Sequence, residues 1–328
     1  MIWYARPSAL PCLLFWSCML LLAAGLRCTC ALPFAHHSRR GLAPSSLSAF
    51  LQPAVLNCRQ ILKDGIGERA RVVENRNPPF KIAVLKEKDI VSESFAASGG
   101  WEDPTDFLRR SAAHVDRVSR CAGKREFIDV GANIGAFTLT AATLNYSVTA
   151  FEPFSDNVRL LKYSICVNGL QDRVKLFTVA LGEREHTCRL YSQNLNRGNG
   201  VVYCKEQLQR EVDHLRQEVV RVHPMDDFSS QLHACSSMKI DVEGHEAKTL
   251  LGGAHFLNSE KAPLRVRTEV QPASLAANGI SKEGYYWIYH ALGYRPVTPD
   301  NAGILPVERY AEDEGIIYDR EFVLERIH

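Results

Sequence analysis

Acidic residues are missing from the first 63 positions of this 328-residue chain. That stretch holds six basic residues (Arg6, Arg27, Arg39, Arg40, Arg59 and Lys63), so the formal charge of +2 hides a remainder that carries −4. A mildly acidic body offers little to a phosphate backbone, which excludes a nucleic-acid-binding surface. Zinc-site spacing is missing too: among ten cysteines only Cys28 and Cys30 stand close together. His245-Glu246-Ala247-Lys248-Thr249 lacks the second histidine of a zinc protease helix. No internal repeat or long low-complexity tract occurs in the body, which excludes a repeat architecture.

The acid-free segment does contain an apolar run from Ala9 to Leu26, set between Arg6 and Arg27. It reads as an export signal, at a length between a cleavable signal and a membrane-spanning helix. A cleaved signal, an uncleaved type II anchor that would associate the protein with a membrane, and a signal followed by a plastid-type transit segment in HHSRRGLAPSSLSAF all stay open. The expected location is the secretory pathway (endoplasmic reticulum or Golgi lumen, anchored or secreted), with the plastid as the alternative. Cys188 and Cys204 flank an NRGNG turn, so they form either a cross-hairpin disulfide or ordinary buried thiols. The chain divides into a signal and basic targeting segment (1–45), an extension (46–123) and a main domain (124–328) with an insertion at 182–225.

Within the main domain, strand and helix patterns alternate: FIDV, Ile134 to Leu144, SVTAF, Ser155 to Val167, VKLFTVAL, then SMKIDV, a helix through Leu250 and Leu251, LRVRTEV and a helix around Tyr285 to Leu292. Repeated βα units with short connections specify an α/β fold with a parallel sheet covered on both faces. YRPV and GIIYDREFVL are expected to pair as a terminal hairpin. In the insertion, Leu208, Val212, Leu215 and Val219 recur at helix spacing and predict a charged surface helix.

Two strand ends carry chemistry. After FIDV come Asp129, Gly131, Asn133 and Gly135, where glycines permit a tight turn and the following helix presents its amides to a ligand. Glu152 follows at the end of the next strand, placed to accept hydrogen bonds from two ribose hydroxyls. The middle glycine that makes room for a pyrophosphate is replaced by Asn133, so the pattern favours an adenosine without phosphates. At the second end, MKIDVEGHEAKTLLGGA, Asp241, Glu243, His245 and Glu246 crowd a strand-to-helix junction.

DVGANIGAFTL, AFEPFSDNVRLL, VALG and KIDVEGHEAKTLLGGA resemble the FkbM family of S-adenosylmethionine-dependent methyltransferases, over about residues 124 to 300. The resemblance implies a Rossmann-like class I methyltransferase fold, seven mostly parallel strands with an antiparallel last strand, and methyl transfer to a hydroxyl oxygen. It implies S-adenosyl-L-methionine held by Asp129, Gly131, Ala132, Asn133 and Gly135, its ribose on Glu152 and its adenine near Val179, Ala180 and Leu181. The acid that often follows the third strand is absent, leaving backbone or Glu183 for the adenine amine.

Removing a proton from an alcohol needs a base or a metal. Asp241 is the best-placed base or substrate anchor, with Glu243 and His245 to orient it or share the role and Glu269 facing the same crevice. Asp241, Glu243 and Glu269 are alternatively a Mg²⁺ site, while Glu246 is read as serving the first helical turn. The expected acceptor is a glycan, a glycolipid or a hydroxylated small molecule. A nicotinamide-dependent oxidoreductase would share the turn and Glu152 but needs the missing phosphate glycines. An inert membrane-tethered binding protein would have lost Asp129, Glu152 or Asp241, and all three are present.

Overall fold

A computed structural model describes residues 50–87, 89–101, 104–117, 124–193, 196–203, 216–233, 236–269, 275–276, 278–297 and 321–326. The extension begins with helix α1 (Cys58–Asp64), whose N-cap Asn57 side chain accepts from the Gln60 amide at 3.3 Å. Strands β1 (Ala70–Arg76) and β2 (Pro79–Leu85) pair antiparallel around Asn77 and Pro78. Helices α2 (Ile90–Ser98) and α3 (Pro104–Arg117) follow.

The main domain runs β3 (Glu126–Val130), α4 (Ala136–Thr143), β4 (Ser147–Phe151), α5 (Ser155–Val167), β5 (Val174–Phe177) and β6 (Ala180–Leu181). The insertion supplies β7 (His186–Gln193), β8 (Asn196–Tyr203) and β9 (Arg216–His223). The alternation then resumes with β10 (Ser236–Ile240), α6 (Glu246–Gly252), α7 (Ala254–Leu257), β11 (Arg265–Glu269), α8 (Lys282–Ala291), β12 (Tyr294–Val297) and β13 (Glu321–Arg326).

Five strands, in the order β11-β10-β3-β4-β5, lie parallel as the alternation predicts. They are buried on both faces, which is why they read as short apolar runs. Beyond β11 the same sheet continues through β13 to β12, and β13 runs antiparallel to both neighbours. Ile128, Phe151 and Ile240 belong to one apolar cluster with Phe228 and Tyr285, while Phe127 and Ala150 belong to another with α4 and α5. Tyr285 and Tyr289 turn inward from α8 and belong to the core, while Trp287 faces outward.

The extension shares that second cluster: Phe80, Ile82, Val84 and Leu108 are buried with Phe137 and Leu161. A disulfide between Cys58 and Cys166, which no spacing pattern suggested, ties α1 to α5 with 5.1 Å between the Cα atoms. Residues Pro44–His328 accordingly form one unit. The apolar run at Ala9–Leu26 lies outside the described residues, among which no helix is long and apolar enough to cross a membrane.

The insertion corrects two expectations. Asn196 to Gly200 lie within β8, paired with β7, rather than in a turn. Arg216 to Val220 of the predicted helix belong to β9, where Val220 and Val222 face inward and Val219 and Arg221 outward. A period of two, carried by β-branched residues, prevailed over the apparent helix spacing; Leu208, Val212 and Leu215 lie outside the described residues. VKLFTVAL also divides: β5 stays in the main sheet, while β6 leaves it to pair with β9 in a four-stranded sheet, β6-β9-β7-β8. Cys188 on β7 is disulfide-bonded, and its expected partner Cys204 lies outside the described residues.

Candidate active site

The two strand ends are joined before any ligand is considered. Past β3 the chain turns at Gly131, φ +79°, and the Gly131 and Ala132 amides both donate to the Phe151 carbonyl at 3.0 Å. The Asp241 amide, at the end of β10, donates to Val130 at 3.1 Å. A Cβ on residue 131 would collide with the Asp241 carbonyl oxygen, so glycine is required for this approach. Gly135 has a different reason: a Cβ there would strike Leu161, so it lets α4 close on α5.

Glu152 lies across from this turn. Its carboxylate accepts from the Asn133 amide at 2.7 Å and the Phe154 amide at 2.9 Å, and burial pushes its pKa up to about 7 against those bonds. The Asn157 side-chain amide donates at 3.4 Å to the oxygen that Phe154 already holds, so the oxygen facing Asn133 is the one that keeps a lone pair for a ligand hydroxyl. Asn133 is left-handed at φ 52°, and so is Glu243, φ 55°, in the turn after β10. Asparagine tolerates that region and glutamate does so rarely, so the Glu243 backbone is strained where its side chain borders the site.

Gly131, Asn133, Glu152, Asp241, Glu243 and His245 line one cleft of about 620 Å³, counted with the space open to solvent. Its other end is apolar: Phe151, Val179, Ala180 and Leu181 of the main domain meet Leu190, Gly200 and Val202 of the insertion. His245 stands at the N-cap of α6 without making a capping bond. It is 6% exposed, neither ring nitrogen has a hydrogen-bond partner among the described residues, and burial lowers its pKa to about 4, so the imidazole is neutral at physiological pH. Glu246 instead turns inward and accepts from the Val242 and Gly244 amides at 3.0 and 3.1 Å, which fixes the DVEGHE turn. Glu269 ends β11 with a carboxylate oxygen within 4.8 Å of those of Asp241 and Glu243.

The structure does not bring every expected residue to the cleft. Asp129 is fully buried beneath the glycine turn, accepting from the Thr138 hydroxyl at 2.6 Å, and Ala132 and Gly135 pack behind the same turn. Glu183 is paired with Arg184 away from the lining residues. Sequence reasoning missed the insertion's wall of Leu190, Gly200 and Val202, and it missed Lys239. The Lys239 ammonium donates to the Gly131 carbonyl at 2.7 Å and stands 3.2 Å from the Asp241 carboxylate. Its signal was present: a lone charge in a strand buried at every position. Asp241 therefore already has a fixed cation 3.2 Å from one carboxylate oxygen, a charge that competes with any divalent ion for it. The three carboxylates lie close enough together to hold a metal ion.

The cleft fits S-adenosylmethionine in its division of chemistry. Its lining combines a glycine turn, a buried acid, Glu152, that could take ribose hydroxyls, and apolar side chains, Val179 to Leu181 with Leu190 and Val202, that could take adenine. Residues 129–295 match the family described as the methyltransferase FkbM domain, about half of the chain. No curated protein matches the chain. Solved structures similar to it include the human methyltransferase 10 domain containing protein (12% identity, 72% of this chain and 92% of that one, TM-score 0.34). Others are a precorrin-6y C5,15-methyltransferase from Geobacter metallireducens (11%, 75% and 93%, 0.35) and the bifunctional kinase-methyltransferase WbdD (12%, 74% and 44%, 0.38). These superpositions are loose, and the assignment rests on the family match over the segment that contains both strand-end turns: the chain belongs to the FkbM family of S-adenosylmethionine-dependent methyltransferases.

Proposed function

We propose that the protein is an O-methyltransferase that methylates a hydroxyl group of a glycan, a glycolipid or a hydroxylated small molecule in the secretory pathway. The observation that carries this reading is the meeting of Glu152 with Asp241 and His245 in one cleft. The cofactor, when bound, supplies an electrophilic methyl on sulfur. Glu152 receives the ribose hydroxyls and the Asn133 turn encloses the amino acid portion. At the other strand end, Asp241 anchors the acceptor hydroxyl and takes its proton as the oxygen attacks. His245, neutral and without a hydrogen-bond partner among the described residues, accepts a hydrogen bond from the same acceptor and so helps to aim it. Glu243 and Glu269 complete the acidic rim that receives a polyhydroxylated acceptor.

The class I methyltransferase sheet is supported by the placement of β13 between β11 and β12. Secretory location is supported by the Cys58–Cys166 disulfide and by the bonded state of Cys188, since disulfides persist in oxidising compartments. Membrane association would come from the apolar Ala9–Leu26 segment, and the net −4 of the remainder speaks against a nucleic-acid substrate.

Calorimetric titration with S-adenosylmethionine, S-adenosylhomocysteine and NAD, joined to a methyl-transfer screen of hydroxylated acceptors, tests the reading. Binding of the two adenosyl ligands without NAD is expected. Glu152→Ala should abolish that binding. Asp241→Asn should keep it within about threefold while lowering turnover 100-fold or more, the usual range for a lost general base. Equal loss of cofactor binding in both variants would refute this division of roles.

A further inference from the structure

Lys239 is a charged residue in the middle of a strand whose five positions are all buried. Burying an ammonium is costly unless it is paired, and an apolar side chain of similar length would fill the space more cheaply. What the lysine gains is its set of partners. Besides the Gly131 carbonyl and Asp241, it lies 3.8 Å from the Asp129 carboxylate and 5.5 Å from the centre of the Phe137 ring. The Gly131 carbonyl and the Asp241 carboxylate are within reach of the ammonium protons, while Asp129 at 3.8 Å contributes charge alone.

The register explains how one side chain reaches both strand ends. Lys239 pairs with Asp129 on β3 and with Arg267 on β11, so a row of charge crosses the sheet one step below its carboxyl end. Side chains alternate along a strand, so Asp241 lies on the same face as Lys239 and Glu269 on the same face as Arg267. The guanidinium of Arg267 also lies over the Phe137 ring, at 4.8 Å. Asp241 and Glu269 thus each have a basic residue two positions behind them, whereas Glu243 has none.

Three carboxylates within 4.8 Å of one another repel unless positive charge compensates them. A bound divalent ion is one solution, and a fixed internal cation is another. Resting on the methyltransferase reading above, we propose that Lys239 is a positioning residue, the built-in counter-cation that holds the Asp241 carboxylate against the Gly131 turn and takes the place a divalent ion would otherwise fill. It fixes the distance between the group that receives the acceptor and the turn that receives the cofactor. A mobile ion bound from solution would not hold both.

The test uses the purified full chain and Mn²⁺ as the probe, with bound ion followed by electron paramagnetic resonance and S-adenosylhomocysteine binding measured on the same samples. The wild type is expected to take up no Mn²⁺ into the millimolar range. Lys239→Met, and the milder Lys239→Gln, should gain Mn²⁺ affinity by a factor of ten or more, and adding Asp241→Asn should remove the gain. Lys239→Arg should keep the wild-type behaviour. A sub-millimolar Mn²⁺ site in the wild type that is lost in Asp241→Asn would overturn the proposal, as would folded Lys239→Met and Lys239→Gln proteins with no gain. Should neither neutral variant fold, the wild-type titration still decides, because an Asp241-dependent site there is incompatible with an internal cation. Failure of the wild type to bind S-adenosylhomocysteine would count against the methyltransferase reading alone, since the Mn²⁺ signal does not depend on it.

Discussion

The carbonyl oxygen of Asp241 occupies the space that a side chain on residue 131 would need. The two turns are therefore one structural unit, and Gly131→Ala must pry them apart while also paying for a positive φ. A loss of roughly 3 kcal/mol is expected from these two terms. Cofactor affinity should fall with it. Thermal denaturation and calorimetry on the same sample check this, and an unchanged melting temperature would mean that the turns do not meet as described.

Glu152 makes cofactor binding pH-dependent. Its carboxyl is raised to about 7 by burial, so near neutrality it is partly protonated, and a protonated oxygen accepts ribose hydroxyls less well. Affinity for S-adenosylhomocysteine should therefore weaken as pH falls below 7, by about tenfold between pH 8 and pH 6. Glu246 is also raised to about 7, by burial, but it faces the backbone of its own turn, so Glu246→Gln should leave the slope in place. Glu152→Gln should flatten it. His245, already neutral above about 4, contributes no inflection in this window.

The strained backbone at Glu243 permits a test in which stability and activity move in opposite directions. Glycine relieves a left-handed φ, so Glu243→Gly should leave the fold unharmed or stabilise it by about 1 kcal/mol. Turnover should drop, because the carboxylate beside Asp241 is lost. Glu243→Gln, which keeps the strain, should show no stability gain. A Glu243→Gly protein with full activity would mean that the carboxylate has no part in the reaction.

Cys58→Ser opens a loop that spans 108 residues. The chain-entropy model puts the loss at about 4 to 5 kcal/mol for a loop of this length. Chemical denaturation of the oxidised wild type and the oxidised variant should give this difference directly, and any effect of reductant that persists in the variant reports the separate bond at Cys188.

Much of this was legible in the sequence for a physical reason. Central parallel strands are apolar on both faces and end in glycine turns, so FIDV, SVTAF and SSMKI announce themselves, and Asp241 and Glu152 are legible because they follow directly. The insertion was opaque because Leu208, Val212, Leu215 and Val219 fit a helical period by chance, while the alternation that matters, Val220 and Val222, spans only a few residues. Lys239 is not legible in the way that Asp241 and Glu152 are, although it lies within MKIDVEGHE. Its role depends on Gly131, more than a hundred positions away, and on a strand pairing that no local pattern contains.

The Cys58–Cys166 bond also has a meaning in time. A chain made from its N-terminus must add a further 108 residues before the thiol that Cys58 needs exists. Until α5 has been made, α1 has nothing to be fastened to. An oxidised pair therefore marks a molecule in which the first two βα units have been completed and brought beside α1, and trapping Cys58 at successive stages of synthesis would date the assembly of the cofactor half of the cleft.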